Sequence, residues 1–451
     1  MKTPIVDFVK AYADTDTLRL HMPGHKGKEV IGSEKWDFTE IEGADVLYSA
    51  NGIIKQSEEN AAELFETGKT VYSTEGSSLA IRAMLFLLKQ YGAITGKKPL
   101  IAAGRNAHKT FITACALLDI DVTWLLPQGA ENLISCSITP EFLDSFLNES
   151  TEKPLAVYVT SPDYLGNLSD IGGLAEICRK HEVLLIVDNA HGAYLKFLPE
   201  SLHPITLGAD MCCDSAHKTL PVLTGGAYLH ISKKACPFFA ENADFAMSMF
   251  ASTSPSYLIL QSLDMANSNL ADGYFNELDS FIKRVESLKR AVEEKGYRLY
   301  GNEPLKLTIA PKTYGYTGCE LAQKLCEKGI VCEFSDMDFV VFMLTPQIGE
   351  TGLERLKQAL CSIEKREEIK SFPPIPTKKV KRMSPAKAVF SKSKRLEVDF
   401  CLGLVCSAVS VTCPPAIPIV VCGEEIDRNA IESFKYYGIQ SCVVVDENID
   451  K

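Results

Sequence analysis

The stretch DSAHKTLP, residues 214 to 221, sets His217 and Lys218 side by side between Ser215 and Thr219. A lysine amine attacks aldehydes only when unprotonated, and its ordinary pKa of ~10.4 keeps it protonated at neutral pH. Solvation on a loop is the simplest account of such a pair, so the neighbours decide. Three other stretches carry polar groups that an apolar core does not need. In STEGSSLA, Gly76, Ser77 and Ser78 open a helix, whose first N–H groups and positive dipole end can hold an anion. Ordinary capping by serine accounts for the same residues. In RNAHKT, His108 reads as a cap, a solvated side chain or a planar group that stacks on a ring. In VDNAHGAY, Asp188 ends the apolar run VLLIVD, where a carboxylate must find a cation, hydrogen-bond donors or water. A metal ion or a protonated ring nitrogen would satisfy it.

These residues sit in a regular pattern. From about Ser73 to Ile231, helical segments (SLAIRAMLFLLKQYG, KTFITACALLD, GGLAEICRKHE) alternate with short β-rich runs (PLIAAG, DVTWLLP, PLAVYVTSP, VLLIVDNAHG, ADMCCDS, GAYLHI). Near-continuous apolar strands between amphipathic helices predict an α/β fold with a mostly parallel sheet covered on both faces. Ligands gather at the carboxyl ends of such strands. Lys218 follows Asp188 by 30 residues, enough for one crossover and the strand ADMCCDS, so both belong at the same sheet edge. An anion site, an acid and a lysine at one edge suit a phosphate-bearing aromatic aldehyde, and pyridoxal phosphate is the cofactor that requires all three.

A helical stretch near residues 257 to 298 leads to a smaller α+β region, with strands in LKLTIAP, GIVCEFSD and FVVFMLTP and helices in TGCELAQKLCEKG and GLERLKQALCSIEKREE. The stretch SFPPIPTKKVKRMSPAKAVFSKSKRLE mixes prolines with basic residues and reads as a linker or exposed connection. The expected division is an N-terminal arm over 1–60, a large domain over 61–275, a small α+β domain over 276–372, and a linker with a C-terminal domain over 373–451. A length of 451 residues, 46% hydrophobic and 23% charged, is ordinary globular composition. A formal charge of −11 argues against nucleic-acid binding, which needs clustered lysine and arginine. No signal peptide or membrane span is evident, so a cytoplasmic protein without membrane contact is expected. The 15 cysteines form no C-x-x-C pair and read as reduced and mostly buried. No metal site is expected: His21, His25 and Lys26 in HMPGHKG have no third ligand at suitable spacing.

Taken together, HMPGHKG, STEGSS, RNAHKT, TSPDYLGNLSDI, VDNAHGAY, DSAHKTLPVLT and STSPSY resemble, in order, the Orn/Lys/Arg decarboxylases. These are pyridoxal-phosphate enzymes of the aspartate-aminotransferase fold (fold type I), here in the shorter form without an N-terminal wing domain. The likeness extends from residue 21 to about 257 and continues more weakly beyond. The resemblance implies that Lys218 forms the Schiff base, that Asp188 pairs with the pyridine nitrogen and that His108 stacks on the ring. It places Ala190 on the opposite ring face, with His191 also in the cofactor site. Gly76, Ser77, Ser78, Ser215 and His217 would surround the phosphate, and Thr253 and Ser254 would reach the phosphate of a neighbouring protomer. A homodimer or a larger even oligomer follows from the same likeness.

The implied reaction is decarboxylation of arginine, lysine or ornithine to the amine and carbon dioxide, a step in making polyamine precursors. A transaminase or desulfinase-like reaction on the same fold, or a catalytically degenerate binding protein, are the rival readings. An acid must meet the distal cation of the substrate, and Glu40, Glu42, Asp45, Glu424 and Glu425 are the candidates. The chain departs from the family pattern at Glu75, Tyr194, Gly403-Leu404, Pro414-Pro415-Ala416 and Cys422-Gly423-Glu424. These departures bear on substrate and efficiency and leave the cofactor set intact.

Overall fold

In a computed structural model of the chain, residues 1–126, 134–413 and 417–446 are described. The chain divides into two compact units, the first made of Met1–Tyr91 and Leu184–Asp279, the second of Gly92–Val183 and Ser280–Lys451. Seven strands belong to the mostly parallel central sheet: β1 (Lys69–Ser73), β2 (Leu100–Gly104), β3 (Asp121–Leu125), β4 (Ala156–Thr160), β5 (Leu184–Asp188), β6 (Met211–Asp214) and β7 (Ala227–Ile231).

In the first unit the order is β1-β7-β6-β5. Strands β5 and β6 run parallel, whereas β7 is antiparallel to both β6 and β1. All five residues of β7, His230 included, are buried, as befits a strand covered on both faces. Helices α1 (Pro4–Ala13), α2 (Ile53–Phe65) and α3 (Ser77–Thr95) begin in this unit. The amphipathic α1 turns Ile5, Val6 and Val9 inward, and its first N–H groups, those of Ile5 and Val6, donate to buried Asp264 at 2.9 and 3.0 Å.

The second unit holds β4-β2-β3, parallel throughout, and α4 (Lys109–Leu118). It also carries a four-stranded antiparallel sheet, ordered β10-β11-β9-β8, from β8 (Arg298–Tyr300), β9 (Lys306–Ala310), β10 (Phe334–Ser335) and β11 (Val340–Met343). Two further antiparallel pairs follow: β12 (Ser393–Glu397) with β15 (Ser441–Val445), and β13 (Ser410–Cys413) with β14 (Ile417–Val421). Phe339 and Val341 share one apolar core with Ile419, Val420, Phe434 and Val444 of this C-terminal segment.

Three expectations change. GIVCEFSD forms strand only at Phe334–Ser335, and Val331 is 83% exposed, so that apolar run is not packed. The basic stretch is only partly a connection, because Ser384 caps a helix over Pro385–Phe390 and β12 follows it. DSAHKTLP is not a plain loop either, since Ala216–Thr219 is a single helical turn. The described cysteines are all free thiols and mostly buried. Among the described residues no helix is long and apolar enough to cross a membrane.

The first unit contains a buried acid outside the motifs. Glu58 accepts from the Tyr72 backbone N–H at 2.8 Å, and burial pushes its carboxyl up to about 8. Between the ordinary glutamate value and pH 8 the folded chain therefore holds a proton that the unfolded chain has lost, so stability falls as pH rises through this window. The full effect is at most about 5 kcal/mol. Glu58→Gln is expected to flatten the fall in urea-unfolding free energy between pH 5 and 8. A slope unchanged by the substitution would show that Glu58 does not titrate there.

Candidate active site

Strand β5 carries Asp188 to its carboxyl end, where the chain leaves the sheet. The side chain is buried, and its Oδ1 accepts from the Ala190 N–H at 3.2 Å and lies 3.6 Å from the Cys213 thiol. Because β5 and β6 are parallel neighbours, the end of β6 lies beside it, with Asp188 opposite Cys213. The turn Ala216–Thr219 then presents Lys218, whose Nζ lies 3.0 Å from His191 Nε2. The predicted meeting of the acid-bearing strand end and the lysine at one sheet edge is thus found within a single unit.

The serine groups also meet. Ser215 Oγ donates to Ser77 Oγ at 2.8 Å, joining the start of the lysine turn to the first residue of α3. Gly76 adopts φ +72, a left-handed backbone conformation that glycine enters without a Cβ penalty, and its N–H donates to Gly225 O at 2.7 Å. Ser73 Oγ donates to Gly76 O at 2.9 Å. Ser78 follows in the first turn of α3. His217 Nδ1 faces Gly226 O at 2.9 Å, and burial, with some help from the Lys218 charge, pushes its pKa down. Ala190 and His191 are buried in the turn after β5. Thr253 and Ser254 are exposed, and Ser252 N–H donates to Glu75 Oε1 at 2.7 Å, so the unusual Glu75 ties STEGSS to STSPSY.

His108 lies in the second unit, where it caps α4: its Nδ1 accepts from the Thr110 N–H at 3.3 Å. The capping account considered from sequence therefore holds for this side chain.

Sequence reasoning missed the support behind the lysine turn. Asp214, the residue before Ser215, is wholly buried with His203 Nε2 at 3.0 Å and His230 Nε2 at 3.4 Å from Oδ2. Its other oxygen accepts from Asn189 Nδ2 at 2.7 Å, and Thr70 Oγ1 is 2.8 Å from His230 Nδ1. Burial works against the charge, but the two histidines hold the Asp214 carboxyl far below the usual range. The cluster therefore fastens Asn189, next to Asp188, to Asp214 at the end of β6, just before the lysine turn. It is also the one group of three close potential metal ligands among the described residues. The only signal in the sequence was the period of two that puts Cys212 and Asp214 on one face of β6. In HMPGHKG, by contrast, His21 Nε2 meets the Tyr12 hydroxyl at 2.7 Å and His25 meets Asp37 at 3.2 Å, so the two histidines have separate partners.

Most candidate acids for the substrate are already engaged. Asp45 accepts from the N–H groups of Asn51, Gly52 and Ile54 at the start of α2, and against the upward push of burial these donors lower its pKa. Glu424 pairs with Arg105 at 2.8 Å in a buried setting, and Glu425 pairs with Arg382. Glu40 takes only a 3.3 Å bond from its neighbour Thr39, and Glu42 is exposed. Among the departures, Tyr194 and Cys422 are buried, Leu404 packs against the C-terminal core, and Pro414-Pro415-Ala416 lies outside the described residues.

Comparison with known proteins accords with this arrangement. The chain is 28% identical to an arginine decarboxylase of Bacillus subtilis over 95% of its own length and 92% of that protein, and 28% identical to an arginine decarboxylase of Halalkalibacterium halodurans over the same shares. Its fold is similar to that of the Francisella novicida lysine decarboxylase LdcF, with a TM-score of 0.82 at 16% identity over 98% of this chain and 81% of that one. The constitutive lysine decarboxylase of Escherichia coli gives a TM-score of 0.77 at 16% identity, covering 99% of this chain and 82% of that one. The family model for the Orn/Lys/Arg decarboxylase major domain matches residues 3–300, which takes in every motif from HMPGHKG to STSPSY, and the chain belongs to that family.

Proposed function

We propose that this protein decarboxylates a basic amino acid, arginine, lysine or ornithine, with pyridoxal phosphate as cofactor. The observation that carries the reading is the Lys218 amine, 3.0 Å from His191, in the helical turn that follows the strand neighbouring the one that ends in buried Asp188. The residues present fit the cofactor by the chemistry of their donor set. They offer an amine for its aldehyde, a carboxylate for its ring nitrogen, and the Ser77–Ser215 hydroxyl pair at a helix start for its phosphate. When bound, pyridoxal phosphate supplies a ring that takes up the electron pair left by the departing carboxylate.

The protein side chains do the rest. Lys218 Nζ would hold the cofactor through its aldehyde, and His191 Nε2, 3.0 Å from that amine, would exchange a proton with it. Asp188 would pair with the ring nitrogen and keep it protonated, the condition for the ring to accept charge. Ser77, Ser78, Ser215 and His217, with the backbone at Gly76, would hold the phosphate. Ala190 would cover one face of the ring, and Thr253 and Ser254 would serve the phosphate of a partner subunit in a homodimer or larger even assembly. Glu40 or Glu42, the carboxylates least committed elsewhere, meet the distal cation of the substrate.

Carbon dioxide release from arginine, lysine and ornithine by the cofactor-loaded protein tests the proposal. One of the three is expected to give the matching amine with stoichiometric carbon dioxide. Retained cofactor with no release from any of them would leave the rival readings, and a keto acid product would select transamination.

A further inference from the structure

The second unit contains a cationic pocket of about 190 Å³ that the proposed reaction does not use. Edge strand β3 forms one wall with Thr123 and Trp124, and Arg105, Lys378, Lys379 and Lys381 bring positive charge to it. Arg105 is 5% exposed, with its guanidinium carbon 4.9 Å from the centre of the Trp124 ring. Its Nη2 is satisfied by Glu424 Oε2 at 2.8 Å and Ile419 O at 3.0 Å, but its buried Nη1 donates to nothing among the described residues. An unmet donor on a buried cation is costly and calls for an acceptor.

A second buried cation stands close by. Lys379, 3% exposed at its side chain, donates to Asp427 at 2.7 Å and Asn429 at 2.8 Å. Burial pushes its pKa down, and the nearby Arg105 charge pushes the same way against the pull of Asp427. Exposed Lys378 and Lys381 stand at the pocket wall, Lys381 paired with Asp121 at 2.8 Å, and Glu424, the one acid in the lining, is already committed to Arg105. An oxyanion would meet the unused Arg105 donor and relieve the repulsion between the two buried cations. The volume is below the ~300–1,000 Å³ of pockets for drug-sized ligands, which suits one small anionic group.

We propose that the pocket lined by Arg105, Trp124, Lys378, Lys379 and Lys381 binds a small oxyanion, a phosphate ion or the phosphate group of a metabolite. Bound there, the anion ties β3 and the loop that runs from Arg105 to His108 to the C-terminal segment around Lys379. Trp124 reports the event, because Trp36 is the only other tryptophan in the chain.

The test uses the full chain carrying Trp36→Phe and follows Trp124 emission as inorganic phosphate or glycerol 3-phosphate is added, with potassium chloride at matched ionic strength as control. A saturable change with either anion and none with chloride is expected, and the tighter of the two tells the free ion from a metabolite's phosphate. Lys378→Glu combined with Lys381→Glu, both at exposed positions, is expected to weaken binding at least about tenfold, with circular dichroism checking that the chain still folds. No saturable change with either anion, or the same curve in the folded double variant, would overturn the site. The readout needs no decarboxylation, so it stands apart from the test of the proposed reaction.

Discussion

Replacing Lys218 with alanine is expected to lower carbon dioxide release by at least about a thousandfold, a loss of ~4 kcal/mol of transition-state stabilisation. On the proposed reading the amine would anchor the cofactor covalently and, with His191 Nε2 at 3.0 Å, would form the proton-exchanging pair of the site. Lys218 is only partly buried, and alanine favours the helical turn it occupies, so stability should change by less than about 1 kcal/mol. The loss would then report on chemistry. Borohydride reduction followed by peptide mass spectrometry gives a second readout: wild-type protein should carry a pyridoxyl group on the peptide with Lys218, and the variant none. A variant that still carries a reducible cofactor link would place the anchor on another residue.

How much of this was legible in the sequence depended on the kind of signal. Strands β4 and β5 are almost wholly buried, so they read as nearly unbroken apolar runs and their ends could be located. With them came Asp188 and Lys218. Strand β12 was hidden because its Lys and Arg side chains mask an alternating burial pattern, and β8, of three residues, is too short to show a period. The run after Gly329 misled for the opposite reason, since its apolar residues stay exposed and need not form a strand.

The site follows the same division. Ser77, Ser215 and Lys218 stand in motifs whose order marked them as candidates, whereas His203, Asp214 and His230 come from three segments that only folding brings together. Asp45 shows why the substrate acid was not legible. Nothing in FTEIEGADVL announces that backbone N–H groups six to nine residues later will occupy its carboxylate. A sequence shows that a charge is present; the structure shows whether it is already engaged.

Asp188→Asn separates charge from shape at the other pole of the site. Asparagine has nearly the same volume and can still accept from the Ala190 N–H through its amide oxygen, so strand β5 and its pairing with β6 should persist. The negative charge that, on the proposed reading, would keep the ring nitrogen protonated is lost. Without that proton the ring is a weaker electron acceptor, and the cost falls on the decarboxylation step rather than on substrate binding. The expected result is a fall in kcat of roughly a hundred- to a thousandfold, ~3–4 kcal/mol, with KM changed much less. The absorbance of the bound cofactor should also titrate differently with pH, which a purely structural role for Asp188 would not produce. A variant with wild-type kcat and an unchanged spectrum would remove Asp188 from the chemistry and leave it as a buried strand-end acid.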